Sequence, residues 1–212
     1  MGVITIARQL GAGGETIAHR VADALGWRLL DRALVERIAE ELEAAPEQVE
    51  AANERVENFV ERLGLYLAEA LPEMHPMAIP PPVSPDATAE AARRVVAAVA
   101  QEGPAVIVGH AAQLVLRDRA NALHVLVHAP MQTRVRRAME HFGLDERAAT
   151  ERIRRSDADR KRYVREHWER DWLDPTLYHL CIDTGAFGID GAAELIQEAA
   201  RRVLDEEETA AG

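Results

Sequence analysis

The sequence predicts an α/β fold in which a parallel sheet is covered by helices on both faces. Short apolar, β-branched runs alternate with longer segments of helical periodicity, and glycines follow several of the short runs. The 212 residues, 48% of them hydrophobic, suffice for one core domain. Ligand sites in such folds lie beyond the carboxyl ends of the strands. Residues that follow a predicted strand are therefore the first candidates for chemistry.

The predicted strands are short and are separated by stretches long enough for helices. They cover residues 3–7, 28–30, 105–108, 123–127 and 179–182. The first helix follows a glycine-rich turn and ends at Gly26, a residue type suited to a helix C-cap. We therefore expect strand, turn and helix to form the first unit of the fold.

The middle and the end of the chain are predicted to be mostly helical. Helices run from Asp31 to about Leu71, with an interruption near Pro46. Six prolines between residues 71 and 85 predict a loop or hinge. Further helices are expected over 88–101, after Pro130 and over 189–204.

Composition and charge exclude several classes of protein. The net charge of −11 disfavours binding to nucleic acid or to an anionic membrane. No apolar run reaches the roughly 18 residues of a spanning helix, so we expect a cytoplasmic protein. A single cysteine, Cys181, allows neither an internal disulfide nor a cysteine-based zinc site.

Positive charge is concentrated in residues 134–170, which carry 12 Lys or Arg against 8 Asp or Glu. Such a block indicates either a local anion site or a pair of solvated, salt-bridged helices. Lys161 is the only lysine among 25 basic residues. Any bound anion must therefore be held mainly by arginine.

The turn after the first strand, Gly11-Ala12-Gly13-Gly14-Glu15-Thr16, has the composition of a phosphate-binding loop. Glycines let phosphate oxygens approach backbone amides at the start of a helix. The Walker A pattern is not matched, because Arg8 stands at its first glycine, Gly14 at its lysine and Glu15 at its hydroxyl residue. A turn that only reverses the chain would have the same composition.

Motifs along nearly the whole chain resemble the cytidylate kinase-like family, a branch of the P-loop nucleoside monophosphate kinases. They are Ala7-Arg8-Gln9-Leu10-Gly11-Ala12-Gly13-Gly14, Leu30-Asp31-Arg32, Val106-Ile107-Val108-Gly109, Leu123-His124-Val125 with Ala129-Pro130, Asp157-Ala158-Asp159-Arg160-Lys161-Arg162-Tyr163, Arg170-Asp171-Trp172 and Ile182-Asp183-Thr184. One departure is Gly109-His110-Ala111, where cytidylate kinases have Gly-Arg-Asp.

The resemblance implies a P-loop kinase core made of residues 1–38 and 103–212, with an arginine-rich lid within about 134–170. Residues 39–102 would form a helical, proline-containing insertion that binds the acceptor. The implied reaction transfers the γ-phosphoryl group of ATP, with Mg²⁺, to a pyrimidine nucleoside monophosphate such as CMP or dCMP. The partners would then be small nucleotides.

The resemblance also assigns the acceptor site, residue by residue. Asp31 and Arg37 match an Asp and an Arg after the second strand, and Arg37 would meet the acceptor phosphate. In the basic block, Arg155, Asp159 and Arg162 match the contacts to a pyrimidine nucleotide. A register two residues earlier makes Asp157 and Arg160 the important pair, and both registers stay open.

The remaining roles follow from the chemistry of the residue types. Because Gly14 replaces the lysine, we expect Arg8 and an arginine of the lid, Arg160 or Arg162, to be catalytic. Residues 11–16 would bind the nucleotide phosphates. Glu15 and Thr16 offer oxygen ligands for Mg²⁺.

A second hypothesis is a nucleotide-binding or regulatory module that keeps the fold but has lost turnover. A kinase acting on a different small acceptor is a third. The sequence leaves a homodimer open in all three cases.

Overall fold

The computed structural model describes residues 2–44 and 85–204. Strands and helices alternate along these residues. The elements are β1 Val3–Arg8, α1 Gly14–Leu25, β2 Arg28–Leu30, α2 Arg32–Glu41, α3 Pro85–Glu102, β3 Ala105–Val108, α4 Ala112–Val115, β4 Ala122–His128, α5 Met131–Phe142, α6 Glu146–Trp168, β5 Leu180–Asp183 and α7 Thr184–Leu204. A 3₁₀ turn at Pro175–Leu177 precedes β5.

The five strands form one parallel sheet in the order β2-β3-β1-β4-β5. The predicted parallel α/β fold is thereby confirmed. Strand β1 is central, with Ile4 level with Val106 of β3 and with Leu123 of β4. All carboxyl ends lie at one edge of the sheet, which places the segments after β1, β2 and β3 side by side.

Alternating side chains of the strands build a core on each face of the sheet. On one face, Ile4 and Ile6 of β1 pack with residues of α1 and α7, including Ile17 and Ile196. On the other face, Val3 and Ile107 pack with residues of α2 and α3. All six of these side chains are among the largest fully buried groups. This burial on both faces explains why the strands are continuous apolar runs.

The first helix ends at Gly26, as the sequence predicts. Gly26 adopts a left-handed conformation, φ 65°, and its N–H contacts the carbonyls of Ala22 and Asp23. The last helix begins at Thr184, earlier than the predicted residue 189, and it is interrupted at Gly188, where φ is 69° and ψ −177°. The helical period before Gly188 was too short to be recognised in sequence.

Most of the predicted insertion, residues 39–102, lies outside the described residues, and so does most of the proline-rich segment between 71 and 85. The final part of the insertion is α3, whose Val96 and Val99 are buried against the sheet. Among residues 2–44 and 85–204, no helix is long and apolar enough to cross a membrane.

Candidate phosphate-binding and transfer site

Residues 9–13, here called the glycine loop, connect β1 to α1 and have a conformation that requires glycine. Gly11 and Gly13 have φ values of 79° and 82°. A Cβ on Gly11 would lie 2.6 Å from the carbonyl oxygen of Arg134, and one on Gly13 would lie 2.1 Å from Cδ1 of Ile189. The first helical hydrogen bond runs from the Ile17 N–H to the Gly13 carbonyl, 3.1 Å. The N–H groups of residues 14–16 come before that bond and have no acceptor within the helix. Such N–H groups at a helix start can bind anions.

Two elements behind the glycine loop hold it in place. The Thr184 hydroxyl donates to the Ala12 carbonyl at 2.7 Å. Arg137 Nη1 donates to the Thr184 hydroxyl oxygen at 2.8 Å and also reaches the Ala12 carbonyl at 3.4 Å. Contacts within the protein therefore set the shape of the loop before any ligand binds.

Arg8, the last residue of β1, extends toward the end of β2. Its Nη2 lies 3.7 Å from Oδ1 of Asp31, and each side chain is about a quarter exposed, 27% and 25%. Burial raises the pKa of the Asp31 carboxyl, and the Arg8 guanidinium offsets part of that rise. The pair thus forms a partly buried, polar surface at the carboxyl ends of the strands.

Arg8 and Asp31 line a cavity of about 440 Å³. Its lining includes both charged and aromatic side chains. They are Arg8, Glu15, Asp31, Arg160, Tyr163 and Trp172. Cations from two different elements, β1 and α6, therefore face the same space beside the glycine loop.

Helix α6 supplies the second cation. The helix starts at the N-cap Asp145, whose side chain accepts from the Ala148 N–H at 2.7 Å. Arg160 Nη1 donates to the Ser156 hydroxyl one turn earlier, at 2.5 Å, and its guanidinium carbon lies 5.9 Å from the centre of the Trp172 ring. Both contacts hold the arginine against the wall of the cavity.

A buried ion pair joins α6 to the start of α5 and to the glycine loop. Arg134 donates to Oδ1 and Oδ2 of Asp157 at 3.0 and 2.8 Å, and it reaches the Leu10 carbonyl at 3.5 Å. The Arg134 side chain is 5% exposed. This two-pronged contact fixes the turn of α6 that precedes Arg160.

The alternative register of the predicted lid contacts lies farther from the cavity. Asp159 forms an ion pair with Arg162 on the same helix, and their side chains are 19% and 40% exposed. Arg155 is exposed. The cavity lining on α6 includes Arg160 but not these three residues. Of the two registers, the one that pairs Asp157 with Arg160 has its arginine in the cavity lining.

Arg37 lies away from the cavity in this conformation. It donates to Glu102 at 2.8 Å, and Glu102 also accepts from Arg28 at 2.9 Å. Arg28 begins β2 and Glu102 ends α3 just before β3. This cluster therefore lies at the amino-terminal edge of the sheet, and the predicted contact of Arg37 with an acceptor phosphate would require the pair with Glu102 to open.

The predicted magnesium ligands lie at the start of α1. Glu15 lines the cavity, and Thr16 is exposed in the same helical turn. Among the described residues, no group of three His, Cys, Asp or Glu side chains is placed to hold a metal ion. A carboxylate and a hydroxyl fit a Mg²⁺ ion that takes its other ligands from phosphates and water.

Several site residues were not identified from the sequence. Arg134 and Arg137 brace the loop, and their roles depend on contacts with residues distant in sequence. His110, after β3, lines the cavity with φ 53°. Burial and the Arg8 charge lower its pKa to about 4, which makes it neutral at pH 7. The turn at Gly109 was the available clue to this residue.

Solved structures with the same architecture include kinases. An uncharacterized protein from Eubacterium ventriosum matches with a TM-score of 0.69 and 21% identity, over 94% of this chain and 98% of that one. A gluconokinase from Sinorhizobium meliloti 1021 gives a TM-score of 0.53 at 11% identity, over 100% and 98% of the two chains. A shikimate kinase from Bacteroides thetaiotaomicron gives 0.51 at 14% identity, over 93% and 97%. These likenesses show a kinase-type fold.

Sequence comparison shows the family. A cytidylate kinase from Aeropyrum pernix is 40% identical over 105 residues, which are 49% of this chain and 60% of that protein. The matched region thus spans less than two thirds of that relative. The profile of the cytidylate kinase-like family matches residues 3–186, which include the glycine loop, the cavity and α6. The chain therefore belongs to the cytidylate kinase-like family.

Proposed function

We propose that this protein transfers the γ-phosphoryl group of MgATP to a pyrimidine nucleoside monophosphate, CMP or dCMP. The observation that carries the proposal is that Arg8 and Arg160, from separate elements, face one cavity beside a glycine loop at a helix start. Membership of the cytidylate kinase-like family supports a nucleotide as substrate. The cavity volume of about 440 Å³ is within the range of small-ligand sites.

The proposed reaction is an in-line displacement. A phosphate oxygen of the acceptor attacks the γ-phosphorus while the bond to the β–γ bridging oxygen breaks, and ADP leaves with that oxygen. No covalent enzyme intermediate is needed. Amides of the glycine loop and of the first turn of α1 bind the donor phosphates. Arg8 and Arg160 neutralise charge on the transferring group from two sides.

Mg²⁺ bound with ATP would neutralise further phosphate charge. Glu15 and Thr16 would hold it, because their oxygens lie on the first turn of α1. The carboxylate of Glu15 would otherwise repel the triphosphate. Its place in the cavity lining is therefore consistent with a metal contact.

The acceptor is proposed to lie on the side of the cavity formed by Asp31 and α6. Asp157 is engaged with Arg134, which leaves Arg160 as the residue of that register that faces the ligand space. Tyr163 and Trp172 supply flat apolar walls, which suit a nucleobase. The contacts of Arg155, Asp159 and Arg162 with the acceptor stay a prediction, as does that of Arg37.

The test is a coupled kinase assay with MgATP against CMP, dCMP, UMP and AMP, comparing the wild-type chain with Arg160→Gln. We expect turnover with CMP or dCMP and a fall in kcat of about 100-fold in the variant, the usual cost of losing one transition-state donor. Arg147→Gln is the matched control, because Arg147 lies on the same helix and its side chain is 82% exposed. Absence of turnover with both CMP and dCMP would contradict the proposal.

The second candidate is a nucleotide-binding regulatory module, and Gly14 in the place of the Walker A lysine favours it. It predicts that calorimetry detects binding of MgATP or CMP while no transfer occurs. A different small acceptor, the third candidate, predicts turnover only outside the nucleotide panel. A cytoplasmic location and a homodimer stay predictions from the sequence.

A further inference from the structure

The Arg8 side chain lies close to two glycines, Gly14 and Gly109. A Cβ added to Gly14 would lie 2.4 Å from Cβ and 2.9 Å from Cγ of Arg8. A Cβ added to Gly109 would lie 2.2 Å from Nη1 of Arg8. All three distances are far below van der Waals contact. The base and the tip of the Arg8 side chain thus each occupy space that another residue's side chain would need.

Backbone conformation does not explain why residue 14 is glycine. Gly14 lies in the first turn of α1 and is not among the residues with positive φ. Glycine in a helix costs up to about 1 kcal/mol relative to alanine. Gly14 is also buried, whereas glycines such as Gly143 have open space where a Cβ would be. The requirement at position 14 is therefore the space taken by Arg8.

Position 14 is also where the Walker A pattern has its lysine. We propose that Arg8 replaces this lysine as the cation for the donor's phosphate oxygens, and that Gly14 is a positioning residue that leaves room for the base of its side chain. Gly109, whose φ of 77° favours glycine by itself, lies beside the tip of Arg8. This inference rests on the proposed function. The base of the Arg8 side chain, its Cβ and Cγ, and a side chain on residue 14 compete for one space, so the loop accommodates a side chain at one of the two positions only. The absence of lysine at position 14 is then a consequence of a side chain at position 8 and not a sign of lost activity.

The location of the guanidinium fits this role. Arg8 lines the same cavity as Glu15 of the first turn of α1 and Asp31 after β2. It therefore lies between the loop that would hold the donor and the side proposed for the acceptor. A planar guanidinium can contact two phosphate oxygens at once, which a lysine cannot do.

A double-mutant cycle on thermal stability tests the steric part without any substrate. Gly14→Ala is expected to lower the Tm of the wild-type chain by several degrees. In an Arg8→Gly background the same change should leave Tm unchanged or raise it, because alanine is the better helix former. An Arg8→Ala background should not relieve the penalty, since the clashing Cβ remains. Gly143→Ala is the control and should show no coupling to Arg8→Gly. Additive effects of Gly14→Ala and Arg8→Gly would overturn the steric assignment.

Calorimetric titration with MgATP tests the ligand. We expect Arg8→Gln and Gly14→Ala each to weaken binding at least tenfold, while Gly143→Ala leaves it unchanged. Gly14→Lys should also weaken binding, and Arg8→Gly with Gly14→Lys should bind more tightly than Arg8→Gly alone. Unchanged affinity in Arg8→Gln, or no measurable binding by the wild-type chain, would overturn the inference.

The two proposals fail in different ways. If MgATP binding depends on Arg8 but no nucleotide is phosphorylated, the proposed function fails and the role of Arg8 stands. If the wild-type chain phosphorylates CMP and Arg8→Gln does so at the same rate, the role of Arg8 fails and the proposed function stands.

Discussion

Replacing Asp157 by alanine is expected to destabilise the protein strongly, because it leaves the Arg134 guanidinium in the interior with its charge unpaired. The Arg134 side chain is 5% exposed and its contacts with the carboxylate are 2.8 and 3.0 Å long. Breaking a buried ion pair on one side costs about 3–5 kcal/mol. Asp157 itself is 23% exposed, so some water can reach the site, and we expect the lower end, about 3 kcal/mol.

The assay is urea unfolding followed by circular dichroism. With a slope of about 2–3 kcal/mol per molar urea, the expected loss lowers the midpoint by about 1–1.5 M. The matched control is Asp159→Ala on the same helix, because Asp159 pairs with Arg162, whose side chain is 40% exposed. That loss should be a few tenths of a kcal/mol.

A second variant separates lost pairing from general damage. Changing both partners, Arg134→Met with Asp157→Leu, removes the two charges together and should recover most of the stability. Equal midpoints for Asp157→Ala and Asp159→Ala would refute the reasoning, because they would show that the buried pair contributes no more than the exposed one.

Three further predictions concern stability. Burial and the neighbouring His179 lower the pKa of His124 from 6.5 to about 4. Because the unfolded chain binds this proton near pH 6.5 and the folded chain does not, the free energy of unfolding should fall by about 3 kcal/mol as pH drops through that window; urea titrations from pH 4 to pH 7 should show a shallower dependence in His124→Gln. Gly26→Ala should lower stability by about 1 kcal/mol, because φ is 65° there although nothing lies within 4 Å of the added Cβ; a calorimetric Tm that does not fall would contradict this. Tyr178→Phe should cost about 1–2 kcal/mol in urea unfolding, because the buried hydroxyl donates to the Trp172 carbonyl at 2.6 Å; an unchanged midpoint would show that this bond contributes nothing.

The strands could be predicted from sequence because burial on both faces demands continuous apolar runs. The run from Ala105 to Val108 is fully buried and was predicted with the bounds that the structure shows. The order of strands in the sheet was not predictable from such runs alone. It depends on which helices cover which face, as when Ile17 and Ile196 meet on one side of β1.

The site was predictable where chemistry is local in sequence. The glycine loop follows its strand directly, and its positive φ values at Gly11 and Gly13 match the residue types. Contacts across the chain were not predictable. The pairing of Arg134 with Asp157 spans 23 residues and depends on how α5 and α6 pack. The clash that makes Gly14 necessary depends on the direction taken by the Arg8 side chain.

The measurement that tests the central claim most directly is chromatographic quantification of the products formed from MgATP with CMP and, in a parallel reaction, with dCMP. The proposed transfer predicts ADP and CDP in equal amounts, with formation of both slowed about 100-fold in Arg8→Gln and unaffected in Gly143→Ala. Release of ADP without CDP, or no product at all from CMP and dCMP, would contradict it.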